Sequence, residues 1–382
     1  MDRDLSFLIV TPHALRKGLA GVILSRLLSR TGLELAAAKV MAADASFADA
    51  FAAALAPFHT CPCQAGYIRK NFSPRSDGKA RAFLAFLLKG PSAVEKVAET
   101  AGRLALTEGA GVTIRDAFAE VVRDESGKIT YFEPAVIVPE SAEEAEALLP
   151  KLAELAAKTP NIVENADFAD GSGERTLVII KPENWRRPCV RPGAIMDLFT
   201  RTGLALTGCK VHHLPLADAL EFYGPVQFAL RSKLAPKIAE KAKACLEEKF
   251  SVKLRVESDK LLLESIGTDF ADDQFYQIVE FMSGVKPSEC PEDLRRAPGK
   301  AQCMVLIFEG KDAVSRIRTV LGPTDPAKAP AGTVRGEFGT DVMVNAAHAS
   351  DSQESFIRES GILRVQENDF ASLISKKNTV SA

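Results

Sequence analysis

LLSRTGLELAAAKV, residues 27–40, returns as LFTRTGLALTGCKV at residues 198–211. Each copy is a helix-period segment that stops at Thr-Gly and runs directly into a strand of small and apolar residues. Upstream, FLIVT (7–11) is followed by Pro12 and LVIIK (177–181) by Pro182, so each copy opens with an apolar strand ended by proline. Downstream, FLAFLLKG (83–90) answers CMVLIFEGK (303–311), with the helix-period segments PSAVEKVAETAGRL and DAVSRIRTVLG after them. Finally GVTIRDAF (111–118) matches GTVRGEF (332–338). Shared periodicity alone would not align TGLxL and the later arginine so closely, so the chain reads as a duplication.

Each copy reads β-α-β, helices, β-α-β, with helices segregated to one face of an antiparallel sheet. The expected fold class is α+β: two tandem ferredoxin-like α/β sandwiches, each a four-stranded antiparallel sheet with helices. The join, AKTPNIVENADFADGSGER (157–175), is polar and turn-rich. It divides the chain into expected domains at 1–165 and 172–382.

Composition narrows the classes of function. The 382 residues suit two or three domains, and 50 acids against 48 bases leave a net charge of −2. No basic field argues for nucleic acid or a membrane surface, so an anionic ligand must meet a local cluster of cations. The start, MDRDLSFLIV, lacks the basic segment, long apolar core and cleavage site of a signal peptide. No apolar run reaches the ~18 residues of a membrane span, and the expected address is the cytoplasm. Seven cysteines are an odd number for a disulfide framework. HTCPCQ places Cys61 and Cys63 near His59, where they could bind a metal, but no second pair completes a tetrahedral set.

The chemistry concentrates in NAAHASDSQES (345–355). His348 stands between Ala347 and Ala349, small neighbours that would let a phosphate approach, and is followed by Ser350, Asp351, Ser352 and Glu354. DSQE also reads as a helix N-terminus, and both readings can hold together. An imidazole has an ordinary pKa of about 6.5, so much of it is neutral and nucleophilic near pH 7. There is no GxxxxGK[ST], so no phosphate-cradling glycine loop.

From about Arg175 to Glu359 the chain resembles the nucleoside diphosphate kinases. The densest match is EGKDAVSRIRTVLGPTDPAKAPAGTVRGEFGTDVMVNAAHASDSQES (309–355). The resemblance implies transfer of the terminal phosphate of ATP to a nucleoside diphosphate, by ping-pong through a phosphohistidine at His348. It implies that Glu359 orients the imidazole with support from Ser350, and that Lys181, Arg318 and Arg335 grip phosphates. By the same resemblance Thr324 offers a hydroxyl to the phosphates and Asn345 an amide to the sugar. Tyr223 lies near the transferred group, and Tyr276 stacks on the base opposite Val342. Mg2+ is expected on the nucleotide phosphates rather than in a protein cage. His212 and His213, after a strand-like segment, are read as structural or exposed.

The first copy keeps the frame and drops the chemistry. Thr11 stands for Lys181, Ala98 for Arg318, Pro134 for Asn345 and Ile137 for His348, while Arg115 still matches Arg335. An isoleucine cannot carry a phosphoryl group, so this copy is expected to be inactive and to serve as a packing partner or a regulatory surface; analogy with the oligomers of the family it resembles implies an intrachain pseudo-dimer and a further homo-oligomer. The second copy departs as well: KPEN (181–184) replaces the usual K-P-D-G, Ala349 replaces a glycine, and insertions fall at about 225–268 and 286–301. The first of these is expected to hold the helix RSKLAPKIAEKAKACLEEKF and a strand pair, SVKLRVESDKLLLES. These departures leave a rival reading, a weak or inactive nucleotide-binding or scaffold protein of the same fold.

Overall fold

The computed structural model describes residues 4–59, 62–103 and 111–380. FLIVT and LVIIK each become the inner strand of a sheet. The first sheet holds β1 (Asp4–Val10), β2 (Glu34–Ala42) and β3 (Ala82–Gly90). Beyond a separate hairpin of β4 (Glu120–Arg123) and β5 (Ile129–Glu133), it is completed by β6 (Val136–Ile137). The second sheet holds β7 (Arg175–Ile180), β8 (Ala205–His213), β9 (Gln302–Glu309) and β10 (Ala347–Ala349). Both run in one order, β2-β3-β1-β6 and β8-β9-β7-β10, and the pairs β1–β3, β1–β6, β2–β3, β7–β9 and β7–β10 are antiparallel. The molecule is thus α+β, with antiparallel sheets and helices.

The expected segregation of helices to one face does not hold for the first sheet. Along β1 the residues alternate between two buried clusters, Leu8 and Val10 in one, Phe7 and Ile9 in the other. FLIV (7–10) is apolar at every position because both faces are covered, the pattern of a strand with no solvent side. Each such leucine or phenylalanine, fully buried, contributes about 1.5–3 kcal/mol.

One cluster joins the two sheets: Leu84 and Phe86 share it with Val178, Ile180, Leu306 and Phe308. Across it the helix Ala20–Thr31 packs on the helix Arg191–Thr200 at a glycine crossing. A Cβ on Gly21 would fall 2.6 Å from the Gly193 carbonyl oxygen, and one on Gly193 would fall 2.5 Å from that of Gly21. Polar bonds tie the same seam, Thr200 Oγ1 to the Gly18 carbonyl at 2.9 Å and Ser25 Oγ to that of Val190 at 3.0 Å.

The polar join is pinned rather than loose. Asn161, Ile162, Val163 and Ala166 are buried, and the Val163 amide donates to Thr207 while Ala80 and Asp167 bond across the join. The second cluster, over the outer face of the first sheet, recruits the C-terminal helix Phe370–Val380, whose Phe370 is fully buried. Asn368, just before it, donates to the carbonyls of Ala38 in β2 at 2.9 Å and Cys209 in β8 at 3.2 Å.

Residues His212–Cys303 form a second compact unit. It is helical, with Gly224–Lys233, Ala235–Phe250, Glu257–Leu262 and Thr268–Ser283 as its main helices, together with Leu216–Phe222. The strand pair expected at SVKLRVESDKLLLES is absent: residues 251–256 are irregular and LLLES is helix, passing through a π turn at Leu263–Gly267. Alternation in SVKLRV needs a neighbouring edge to become a strand; instead the Leu254 amide is taken by Glu247 Oε1 at 2.8 Å. The hairpin β4–β5 was not foreseen, although VVRDESGKITYF carries its signal: apolar runs around a turn in which Gly127 adopts a φ of 81°. Among the described residues no helix is long and apolar enough to cross a membrane.

Candidate active site

The site is built where β7 ends and β10 begins. Lys181 follows the last residue of β7, and its amide donates to the Ala346 carbonyl at 3.0 Å. Ala346 has a φ of 69°, a left-handed conformation that a side chain resists. KPEN holds it there. Glu183 Oε1 accepts from the Ala346 amide at 2.8 Å, and Asn184 Nδ2 donates to the Ala346 carbonyl at 2.9 Å. Asn184 is buried and accepts in turn from Arg191 Nε at 3.2 Å. The sequence marked KPEN only as a departure; the bracing roles of Glu183, Asn184 and Arg191 were missed, and an asparagine standing where the resembled motif has glycine was the available clue.

The turn sends His348 to a fixed face. In β10, His348 pairs with Ile179, Ala347 with Ile180 and Ala349 with Val178. Alternation then points both alanines into the shared core, where they are 0% and 4% exposed, and the imidazole to the opposite face, 25% exposed. The alanines are small for the sake of the core; the expectation that they open the approach to the ring is corrected.

Ser352 caps the helix Gln353–Ile362 by accepting from the Ser355 amide, so the helix-start reading of DSQE holds, with Ser352 as its cap. Two turns on, the helix brings Glu359 under the ring: Glu359 Oε2 meets His348 Nε2 at 3.0 Å and accepts from Ser350 Oγ at 2.6 Å. Burial pushes the Glu359 carboxyl up, but His348, Ser350 and Arg358 together outweigh it and hold it below the ordinary range. A carboxylate on Nε2 fixes the proton there and leaves the ring's lone pair on Nδ1.

Cations gather beside it. Lys181 Nζ donates to the Met343 carbonyl and to Asn345 Oδ1, the latter at 2.9 Å. Burial, with Arg335 adding to it, lowers the Lys181 pKa to about 8 against the opposing pull of Glu183 and Asp341. Arg335, nearly buried, donates to the carbonyls of Gly322 at 3.0 Å and Ala347 at 3.2 Å. Two buried cations that repel one another make a place where an anion is welcome. Asn345 Nδ2 reaches the Thr324 carbonyl at 3.1 Å and that of Val342 at 2.9 Å, so Thr324 and Val342 border the same loop, Val342 well exposed. Arg318 is exposed on the helix Ala313–Leu321; after the Ser355 hydroxyl, and against burial, it and His348 help hold the Asp351 carboxyl low. Tyr223 and Tyr276 belong to the second unit, Tyr223 between its first two helices and Tyr276 half-exposed on Thr268–Ser283.

The same frame in the first sheet holds other residues. Ile137 pairs with Ile9 as His348 pairs with Ile179, and Thr11 bonds to the Ala135 carbonyl as Lys181 does to that of Ala346. Ala135, like Ala346, has a positive φ, 58°. Arg115 donates to the Gly102 carbonyl at 2.5 Å, as Arg335 does to that of Gly322, but it also pairs with Glu140 at 2.9 Å. His59, taken with the cysteine pair as a metal reading, contacts Glu144 at 2.9 Å. Cys61 lies outside the described residues, and among those described no group of three His, Cys, Asp or Glu residues is arranged to hold a metal.

Residues 275–368 match a family model described as nucleoside diphosphate kinase. The nucleoside diphosphate kinase of Staphylothermus marinus is 29% identical over 186 residues, covering 49% of this chain and 89% of the relative. That of Hyperthermus butylicus is 28% identical over 186 residues, with 49% and 88% covered. A crystal form of the Aquifex aeolicus nucleoside diphosphate kinase aligns at 25% identity with 50% of this chain and 94% of its own, at a TM-score of 0.30.

Proposed function

We propose that this chain, a member of the nucleoside diphosphate kinase family through its C-terminal half, transfers the γ-phosphoryl group of ATP to a nucleoside diphosphate by way of His348. The carrying observation is the His348 Nε2 contact to Glu359 at 3.0 Å beside buried Lys181 and Arg335. In the first half-reaction Nδ1 attacks the γ-phosphorus, the bond to the bridging oxygen breaks, and the electron pair leaves with ADP. The imidazolium so formed keeps its Nε2 proton toward Glu359, whose charge stabilises it. In the second, a β-phosphate oxygen of the incoming diphosphate attacks phosphorus and Nδ1 recovers its lone pair. Lys181, Arg335 and Arg318 stabilise the phosphate oxygens, most strongly where burial lowers the dielectric. Asn345 and Thr324 position the nucleotide, and for Tyr223, Tyr276 and Val342 the proposal rests on the sequence motif. The donor set fits Mg2+ carried by the nucleotide, since Lys181, Arg335 and Arg318 are cationic and Glu359 is engaged by His348 and Ser350; the ion would neutralise phosphate charge.

The match of strand order, register and positive-φ alanines supports an origin by tandem duplication, with the first copy inactive and the glycine crossing serving as an intrachain pseudo-dimer contact. Incubation with γ-labelled ATP tests the reading. Wild type takes up an acid-labile, alkali-stable label and His348→Ala takes up none. Equal labelling of the two discards the mechanism, and tight ATP binding without label in wild type favours the scaffold alternative.

A further inference from the structure

We propose that the N-terminal half carries a second, non-catalytic site for a small molecule bearing two or more phosphates. A cavity of about 650 Å³ opens beside Pro12, Tyr67 and Glu133. That volume lies in the usual range for small-ligand pockets, about 300–1,000 Å³. Arg16, Lys70, Arg75, Arg81 and Lys128 line it, against a single lining carboxylate, Glu133. In a chain with a net charge of −2 this is a concentrated positive field.

The cations arrive from separate elements: Arg16 after β1, Lys70 from the helix Cys63–Phe72, Arg75 and Arg81 from the loop before β3, and Lys128 from the β4–β5 turn. Asp167 offsets Arg16, and Asp77 lies 3.3 Å from Arg75. Neither Lys70 nor Lys128 is ion-paired among the described residues, and Arg81 donates only to the carbonyls of Lys70 and Ser73. Glu133 does not neutralise them: it is buried, accepting from Thr11 Oγ1 at 2.7 Å and Tyr67 Oη at 2.5 Å. The positive side chains are therefore left to the mouth, while the floor is closed by a hydrogen-bonded carboxylate that repels phosphate. Phosphates sit at the rim, and half-exposed Tyr131 offers a flat apolar face to the rest of the ligand. The hollow is concave and local rather than an extended stripe, which favours a small molecule over a nucleic acid. Ile137 and Thr11 leave no nucleophile or lysine at the register of His348 and Lys181, so the ligand is held, not processed.

The test uses the full chain and tripolyphosphate as probe, with binding followed by calorimetry. Wild type is expected to bind two equivalents. The Lys70→Glu, Lys128→Glu double variant should lose one of them, or bind it at least tenfold more weakly, with melting temperature and nucleotide exchange unchanged. If the C-terminal site fails to bind, wild type takes one equivalent and the double variant none, and the proposal still stands. Unchanged stoichiometry and affinity in the double variant overturn it, as does wild type binding nothing, or one equivalent that Arg335→Ala removes. Tighter binding of a single-stranded oligonucleotide than of tripolyphosphate, lost in the double variant, also overturns it.

Discussion

A single carboxylate, Glu359, meets the His348 ring at 3.0 Å. Glu359→Gln keeps the shape and removes the charge that stabilises an imidazolium, so kcat should fall about 100-fold with KM little changed. Steady-state kinetics check this; a loss confined to KM would show that Glu359 shapes binding instead. Its lowered pKa also fixes a sign: the stability it contributes is present above the ordinary glutamate value and lost as pH falls through the lower folded value. Lys181 behaves oppositely in activity. With a folded pKa of about 8, it discharges as pH rises through that value, so kcat/KM should decline on the alkaline side. Between about 8 and the ordinary lysine value the unfolded chain holds more protons, so stability rises with pH over that window. Lys181→Arg should move the alkaline limb of the kcat/KM profile to higher pH, and a limb that stays in place would clear Lys181 of responsibility. In a His348→Ala background, Ile137→His should restore no label from γ-labelled ATP, because Thr11 and the Glu140-paired Arg115 supply no cationic grip there.

At the scale of elements, the decisive contact is the crossing of Ala20–Thr31 over Arg191–Thr200. Gly21→Ala drives a methyl into the facing backbone, which a rigid helix cannot yield, and should destabilise the chain by about 3 kcal/mol or more. Urea denaturation reads this directly; a shift under about 0.5 kcal/mol, typical of surface changes, would show that the helices can part without loss. These glycines sit inside ordinary helix-period segments, so nothing in their local sequence distinguishes a close crossing from a solvent face. The strands were more legible: FLIVT and LVIIK identify themselves by composition, although the cover on both faces of the first sheet was not read from their lack of alternation. SVKLRVESDKLLLES misled because its alternation is local, whereas a strand requires a partner edge.

Across the whole molecule the last helix returns to the first half, where Phe370 fills the outer core with Phe7, Phe51 and Ile374. Phe370→Ala should cost about 3–5 kcal/mol, as measured by chemical denaturation. A much smaller loss would mean that this helix merely rests on the surface. Asn368 and the buried join add polar ties between the sheets, so the two halves share contacts that no separation into sequence segments would reveal.

Sequence by itself determined the paired segments that read alike, the strands they form and the residue types from 309 to 359 that resemble one family, because each is written in spacing along the chain. It also placed Thr11 and Ile137 in the first half where the aligned segments of the second have Lys181 and His348. Only the tertiary structure decided that Ala347 and Ala349 serve the core, that KPEN braces the turn at Ala346, that the C-terminal helix closes the first half and that five cations surround one hollow. Those outcomes depend on contacts between residues far apart in the chain, and periodicity carries no record of which distant surface a side chain will meet.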